Sequence, residues 1–474
     1  MSTASTLPKP QGTSLPLLPF TAALALTVGI ALSVGADSKT AVVIPLAVGS
    51  VLLLGTLAMT RFVTYVIVML TLRASLDVTK LGATGPSAEG EGLALFDPST
   101  LLAVLFVLMG ILWLASQYRH AGALPGSSLR TALLLFLFTC CLSILGSRNP
   151  TSGIAETMRI VSAVMMFVVV EHIARDPGKM RRILAAIYLS ALFPLAFTTF
   201  GFLMGNPRSE VKGSFTRILG TFNQSNGFGR YLMLLIIMGV AIYPYLERRW
   251  QRCLGVLLVG CSLCLVLTYT RSALIGTVLG LVIVGLIQNR RIVAGVLVAG
   301  ALALVIVPNL SGRFTELASD NAAYPERETT LDWRLDYWAD VLPLANSNPV
   351  TGIGLGQTQY YTAQGKAPHN DFLRAYVETG LIGLGAYVIL MITLISTGFR
   401  ALAAAPTGTM RRGIALGFLG CAIAFAADST VANVISNMAV LWYFLAFAAM
   451  ATAITQDEHA RRAPDPARSL GIQA

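Results

Sequence analysis

The chain has 474 residues, 55% of them hydrophobic and 12% charged, with a mean hydropathy of +0.70 and a formal net charge of +11. A soluble globular chain carries roughly twice that charged fraction, so the composition excludes an ordinary soluble domain and predicts a polytopic membrane protein. Excess Arg and Lys then report loop orientation and contact with membrane lipids, with no nucleic-acid partner implied.

A bilayer span takes about 20 apolar residues. In chain order, a polar N-terminal tail at 1–15 precedes an apolar run at 16–35, which is read as an uncleaved span because it exceeds a signal h-region. Further spans are predicted at 40–59, 61–76, 99–116, 131–146, 153–174, 181–204, 227–246, 252–270, 272–288 and 291–308. Three more follow at 371–398, 411–427 and 433–455, ahead of a tail at 456–474. The expected fold class is all-α: about 12–14 transmembrane helices in blocks 16–308 and 371–455, divided by a long structured loop at 309–370.

Charge alternates along the connections. Arg119 and Arg130, then Arg175, Lys179, Arg181 and Arg182, then Arg248, Arg249 and Arg252 mark one side. Arg290, Arg291, Arg400, Arg411, Arg412 and the C-terminal arginines continue it, whereas the connection holding Glu89 and Glu91 is acidic. By the positive-inside rule both termini are cytoplasmic and the 309–370 loop is extracytoplasmic. The six cysteines sit in or beside apolar runs, so Cys261 and Cys264 read as buried thiols and not as half of a metal site.

Within the long loop, Leu331, Leu335, Trp338 and Leu342 recur at helical spacing and predict a helix. Trp333, Tyr337 and Trp338 suit a helix lying at the membrane interface. Asp332, Asp336 and Asp340 fit its exposed side. A Pro- and Gly-rich turn, NPVTGIGLGQ, comes next.

Three basic residues stand on the side that positive-inside bias should leave poor in cations. His369 lies in KAPHNDFLRAYVETGLIG, where Pro368 stops a preceding helix and Asn370 or Asp371 can cap the next. The positive end of that helix disfavours imidazolium, so a neutral His369 can act as a general base; the plainer alternative is a surface histidine bonded to the cap. Arg271 lies in LTYTRSALIG, on a tight connection, and either faces a vestibule or reaches headgroup phosphates. Arg217 lies in GSFTRILGTFNQSNGFGRY, a segment too polar for a lipid-facing span, with Asn223, Gln224 and Asn226 as hydrogen-bonding neighbours.

Taken together, FTRILGTFNQSNGFG, TYTRSALIG, the WRLDYW helix with GIGLGQ, and PHNDFLRAYVETGLIG closely resemble the O-antigen ligase family of bacterial membrane glycosyltransferases. The resemblance runs over roughly 205–455, and the apolar runs number slightly more than the dozen usual in that family. It implies a GT-C-like architecture in the bacterial cytoplasmic (inner) membrane and glycan transfer from an undecaprenyl pyrophosphate carrier on the outer face. The acceptor is a glycan, lipid or protein hydroxyl, and no metal or other cofactor is implied. By motif match the catalytic residues are Arg217, Arg271 and His369. Fixed guanidinium groups then take the place of a metal in neutralising the departing diphosphate.

Arg334, Arg374, Asn226, Asn370 and Asp371 are further candidates for substrate binding. Arg374 has a structural alternative, pairing with Asp371 and Glu378 at helical spacing. Asp371 is the substitute base if His369 only orients phosphate. A polysaccharide polymerase of the same superfamily is the second reading. A lipid-linked glycan transporter is the reading from another class, though no inverted repeat is visible.

Overall fold

The structure, a computed structural model, describes residues 40–77, 98–121, 126–212, 215–307, 310 and 330–462. The expected span at 16–35, the 1–15 tail, Glu89 and Glu91, and most of 309–329 lie outside them. The chain divides into two units, 1–66 and 67–474. Helix α1 (Thr40–Thr60) belongs to the first, and α2 (Phe62–Arg73) runs from the first into the second. At 12 residues α2 is shorter than the span expected at 61–76; a helix of that length rises only about 18 Å.

The remaining helices are α3 (Pro98–Ala121), α4 (Ser128–Ser143), α5 (Pro150–Ile173), α6 (Pro177–Leu189) and α7 (Leu192–Leu203). A hairpin of β1 (Ser209–Lys212) and β2 (Phe215–Ile218) interrupts them. Then come α8 (Ser225–Ile242), α9 (Arg248–Leu267), α10 (Arg271–Gln288) and α11 (Arg290–Ile306). The long loop contributes α12 (Thr330–Ser347) and a single turn, α13 (Thr358–Tyr361). The chain closes with α14 (Asp371–Ala404), α15 (Met410–Ser429) and α16 (Met438–Arg462).

Ten helical segments are long and apolar enough to cross a membrane, among the described residues. They match ten of the expected spans, with α6 and α7 together serving for 181–204. That pair breaks at Ser190, whose hydroxyl bonds back to the Ile187 carbonyl and to the Tyr231 hydroxyl of α8. The protein is an all-α, multi-pass membrane protein.

Burial orders the bundle. Helix α16 has 94% of its membrane-length stretch enclosed and α8 has 83%, so these two form the centre. Helices α5, α14 and α15 pack on α16, while α9, α10 and α15 pack on α8. Helix α11 buries no residue and leaves Leu297, Val298, Leu302 and Val305 exposed. In a bilayer such side chains meet lipid at no cost, because lipid tails are as apolar as the residues themselves.

Following chain direction, the turns divide between two ends. One end gathers the α3–α4, α5–α6, α8–α9, α10–α11 and α14–α15 connections with their basic residues. Arg130 there donates to the buried Glu171 at 3.0 Å, Arg175 donates to Gln456 at 3.0 Å, and Gln456 donates to Glu171 at 2.9 Å. Arg411 pairs with Asp457, and Arg400 donates to Ser128 at 2.9 Å. Asp176 caps α6, and the Lys179 backbone N–H it accepts holds its carboxyl below the usual range. The other end holds the hairpin, the α9–α10 turn, the long loop and the α15–α16 turn. Arg217, Arg271 and His369 all lie there.

The helix expected in the long loop is present as α12. Its buried face is Tyr337, Val341 and Ala345, packed with Ile353 and Val377 and flanked by Trp333 and Leu344. Leu335 and Leu342 are 50% and 42% exposed. The aromatic residues fasten the loop to itself. Trp338 Nε1 donates to the Pro368 carbonyl at 2.6 Å, and the Tyr337 hydroxyl bonds to Thr362 and Lys366. Burial pushes the Tyr337 phenol up, against the pull of those hydrogen bonds.

Candidate active site

Arg217 sits on β2 directly opposite Glu210 of β1. It is 2% exposed, deeper than its place in a polar segment suggested. Its Nε donates to the Thr268 carbonyl at 2.8 Å, and Nη2 donates to Asn226 Oδ1 at 2.6 Å and Thr270 Oγ1 at 2.9 Å. Nη1 lies 3.7 Å from Glu210 Oε1, the same oxygen that accepts from the Ser225 hydroxyl. One guanidinium therefore binds together the hairpin, the start of α8 and the α9–α10 turn.

That turn places Arg271. Tyr269 adopts a left-handed backbone (φ 48°), which a bulky L-residue adopts only at a cost. Thr270 follows as the cap of α10 but makes no side-chain cap bond, since its hydroxyl is engaged with Arg217 and the Ser225 carbonyl. Arg271 is then the first residue of α10 and half-buried. A cation at a helix N-terminus opposes the helix dipole. An anion lying against the start of the helix and the guanidinium would relieve that conflict.

His369 is the other non-glycine residue with positive φ (54°) among the described residues. It stands between buried Pro368 and Asn370, which caps α14 by accepting from the Phe372 and Leu373 N–H groups at 3.0 and 3.1 Å. The imidazole is half-buried, with the Trp333 ring 5.8 Å away between centroids. Arg334, half-buried on α12, adjoins that tryptophan in sequence.

Asp371 and Arg374 point away from the solvent side. Asp371 is fully buried, and its Oδ2 accepts from the Val434 and Ile435 N–H groups at 2.9 and 3.3 Å. It thereby braces the first turn of α14 against the α15–α16 connection. Arg374 is 3% exposed, with Nε donating to Glu378 and Nη2 to Glu156, both at 2.8 Å, and Nη1 donating to Ser436. Of the two structural partners expected for Arg374, Glu378 is present while Asp371 is turned to Val434 and Ile435, and Glu156 is a partner that sequence spacing missed. Asn370 and Asp371, expected to contact substrate, likewise spend oxygens on the protein's own N–H groups.

The GIGLGQ turn docks on a break in α14. Gly380 has φ 70°, which interrupts the helix and frees the carbonyls of Val377 and Glu378. Ile353 and Gly354 donate to them, each at 3.0 Å, and Leu381 N–H donates to the Pro349 carbonyl at 2.8 Å. The Glu378 carboxylate accepts from Gly356 N–H at 2.7 Å and from the Thr358 hydroxyl at 2.8 Å. A Cβ on Gly380 would collide with the Val350 carbonyl, and one on Gly352 with the Glu378 backbone. Only glycine allows the two segments to close this far.

The pieces form one connected end. Arg217 holds Asn226, and at the neighbouring Gly227 a Cβ would fall 2.5 Å from Asn437 Nδ2. Asn437 follows Ser436, the partner of Arg374, and the same turn supplies the N–H groups that brace Asp371 two residues beyond His369. No group of three or more potential metal-ligating side chains occurs among the described residues, and all six cysteines are free thiols.

Membrane-length helices with an irregular, arginine-bearing end define the class as a polytopic membrane protein with a built polar site. Residues 254–388 match the model of the O-antigen ligase family, and the chain is similar to that family over this segment. The chain is 23% identical over 290 residues to the exopolysaccharide production protein ExoQ of Rhizobium meliloti, a match covering 55% of this chain and 64% of that protein. It thus spans under two thirds of that relative's length. It is also 24% identical over 303 residues to an uncharacterized protein of Haemophilus influenzae, covering 56% of this chain and 70% of that one. Arg271 and His369 fall inside the matched segment. Arg217 precedes it and reaches it through Thr268 and Thr270.

Proposed function

We propose that the protein transfers a glycan from undecaprenyl pyrophosphate to an acceptor hydroxyl at the outer face of the bacterial cytoplasmic membrane, with both termini cytoplasmic. The observation that carries this reading is the junction Arg217–Thr270–Arg271 at the start of α8 and α10, at the end opposite the basic connections. Positive-inside bias puts those basic connections in the cytoplasm and this junction outside.

The acceptor oxygen attacks the anomeric carbon, the bond from that carbon to the diphosphate oxygen breaks, and the acceptor proton passes to His369. Negative charge grows on the leaving diphosphate. Arg271, half-exposed on the first turn of α10, meets it together with that helix's free N–H groups. Arg217 works from beneath, holding the turn and adding a fixed charge in a low-dielectric setting. Guanidinium groups fill the role that a metal has in many glycosyltransferases. The lipid tail lies against the exposed apolar helices, and the 330–370 segment covers the site.

The match to a protein named for exopolysaccharide production favours the polymerase as second reading, with another lipid-linked repeat as acceptor. The deciding experiment is transfer in vitro from an undecaprenyl-diphosphate glycan to a lipid, a protein or a second lipid-linked glycan. EDTA is included throughout, and the purified protein is compared with its His369→Ala variant. Transfer that survives EDTA and disappears in the variant is expected. Loss with EDTA alone would refute guanidinium catalysis. A variant that still moves lipid-linked glycan across vesicles, with no transfer by the parent, would make the protein a transporter.

A further inference from the structure

Arg208 has a place in none of the motifs above. It stands just before β1, and Leu219 N–H donates to its carbonyl at 3.0 Å, extending the hairpin ladder by one pair. Glu210 lies opposite Arg217 in the same ladder. Side chains directly opposite each other in an antiparallel pair share a face, as do residues two apart on a strand. Arg208, Glu210, Arg217 and Leu219 therefore project from one face of the hairpin.

The two arginines on that face differ in their commitments. Arg217 makes three hydrogen bonds to the protein and would have to break them to reach a ligand. Arg208 is half-buried, with Nε and Nη1 shielded from solvent and no hydrogen-bond partner for either among the described residues. Buried donors of a charged group left unsatisfied are costly and rare. Its acidic neighbour is Asp77, which favours the charge that burial opposes, and Asp77 is already paired with Arg73 at 3.2 Å. Near the hairpin, Asp77 is shared between Arg73 and Arg208, and Glu210 lies against Arg217. Among these three guanidinium groups, that of Arg208 has donors to spare.

We propose that Arg208 is a further anion-binding residue of the donor site, turning its unspent donors onto the diphosphate of the lipid carrier. This rests on the transferase reading above and names a contact that the motif residues do not supply. Nε and Nη1 of Arg208 can turn onto a ligand without breaking a hydrogen bond among the described residues, and Asp77 keeps Arg73 as its partner. The second phosphate is its natural target, Arg271 and the start of α10 taking the first. The interaction is charge-assisted and planar, and lysine reproduces the charge but not the fork.

The test is binding of undecaprenyl diphosphate and undecaprenyl monophosphate, each in vesicles, to the full-length protein and to Arg208→Ala and Arg208→Lys, with melting temperatures measured in parallel. The expected result is about tenfold weaker diphosphate binding in Arg208→Ala, in line with one lost charge-assisted bond. Monophosphate binding should change little, Arg208→Lys should fall between, and melting should be unchanged. Undiminished diphosphate binding by Arg208→Ala would overturn the assignment while leaving the transferase reading intact. Equal weakening of both lipids together with a lower melting temperature would also overturn it, making Arg208 structural. Failure of the parent protein to bind either lipid would sink the transferase reading along with it.

Discussion

Both ends of the helical bundle are rich in arginine, yet they are built differently. At the end bearing the basic connections, Arg130, Arg175, Arg400 and Arg411 close regular helix ends by bonding to side chains of neighbouring helices. At the other end, arginines are set in irregular backbone. Of ten positive-φ residues in the described chain, all but Gly408 belong to this second end, including Tyr269 and His369. At Tyr269 and His369, which are not glycines, that backbone is strained and persists only where surrounding contacts enforce it. Cations alone do not mark a site; cations held by a backbone that gave up regular structure do.

Substitutions at the two ends sharpen this contrast. The largest effect is expected for His369→Ala. Loss of a general base costs about 10²–10⁴-fold, read as lost glycan transfer with accumulation of the lipid-linked donor. Arg271→Ala is expected to lower kcat by about 10²–10³-fold, the scale for one lost charge-stabilising group, with Arg271→Lys recovering part. Asp371→Ala should uncouple α14 from the α15–α16 turn and slow transfer about tenfold, an order-of-magnitude value from lost positioning. Asp371→Asn keeps an acceptor oxygen for Val434 and Ile435 N–H and should be milder; equal damage from both would argue that the negative charge matters and not the brace.

Gly380→Ala tests the docking of the loop. Placing a Cβ in a left-handed, tightly enclosed position costs on the order of 1–3 kcal/mol, and limited proteolysis should cut the 350–358 segment faster than in the parent. The smallest effect is expected at the basic end. Arg411→Ala removes a partly exposed ion pair with Asp457, worth about 0–1 kcal/mol; melting and transfer should both stay near parental values. A collapse of transfer in Arg411→Ala would break the contrast between the ends.

Much of the site's outline was legible in the chain. Pro368 and Asn370 bracket His369 because proline ends one segment and an Asx side chain caps the next. The TYTR turn was visible as a polar break between two apolar runs. Residue pairing was less accessible. Glu156 lies 218 residues from Arg374, and no local spacing can announce such a partner. Arg208 carries no motif at all, and only the hairpin register brings it onto the face of Arg217.

The loop helix shows where pattern fails. Leu331, Leu335, Trp338 and Leu342 make one apolar stripe, while Trp333, Tyr337, Val341 and Ala345 make another. Periodicity fits both, and bulk favours the leucines. The second is buried because the GIGLGQ turn anchors to the broken helix at Gly380 and turns that face toward Ile353 and Val377.

By itself the sequence determined the membrane class, the order of the membrane-length helices, and which end collects the basic connections, because bilayer insertion reads hydropathy and charge locally along the chain. Tertiary structure alone decided which arginines are spent and which stay available. A guanidinium's commitments depend on carbonyls and carboxylates brought to it from distant segments, and those arrive only when the helices pack.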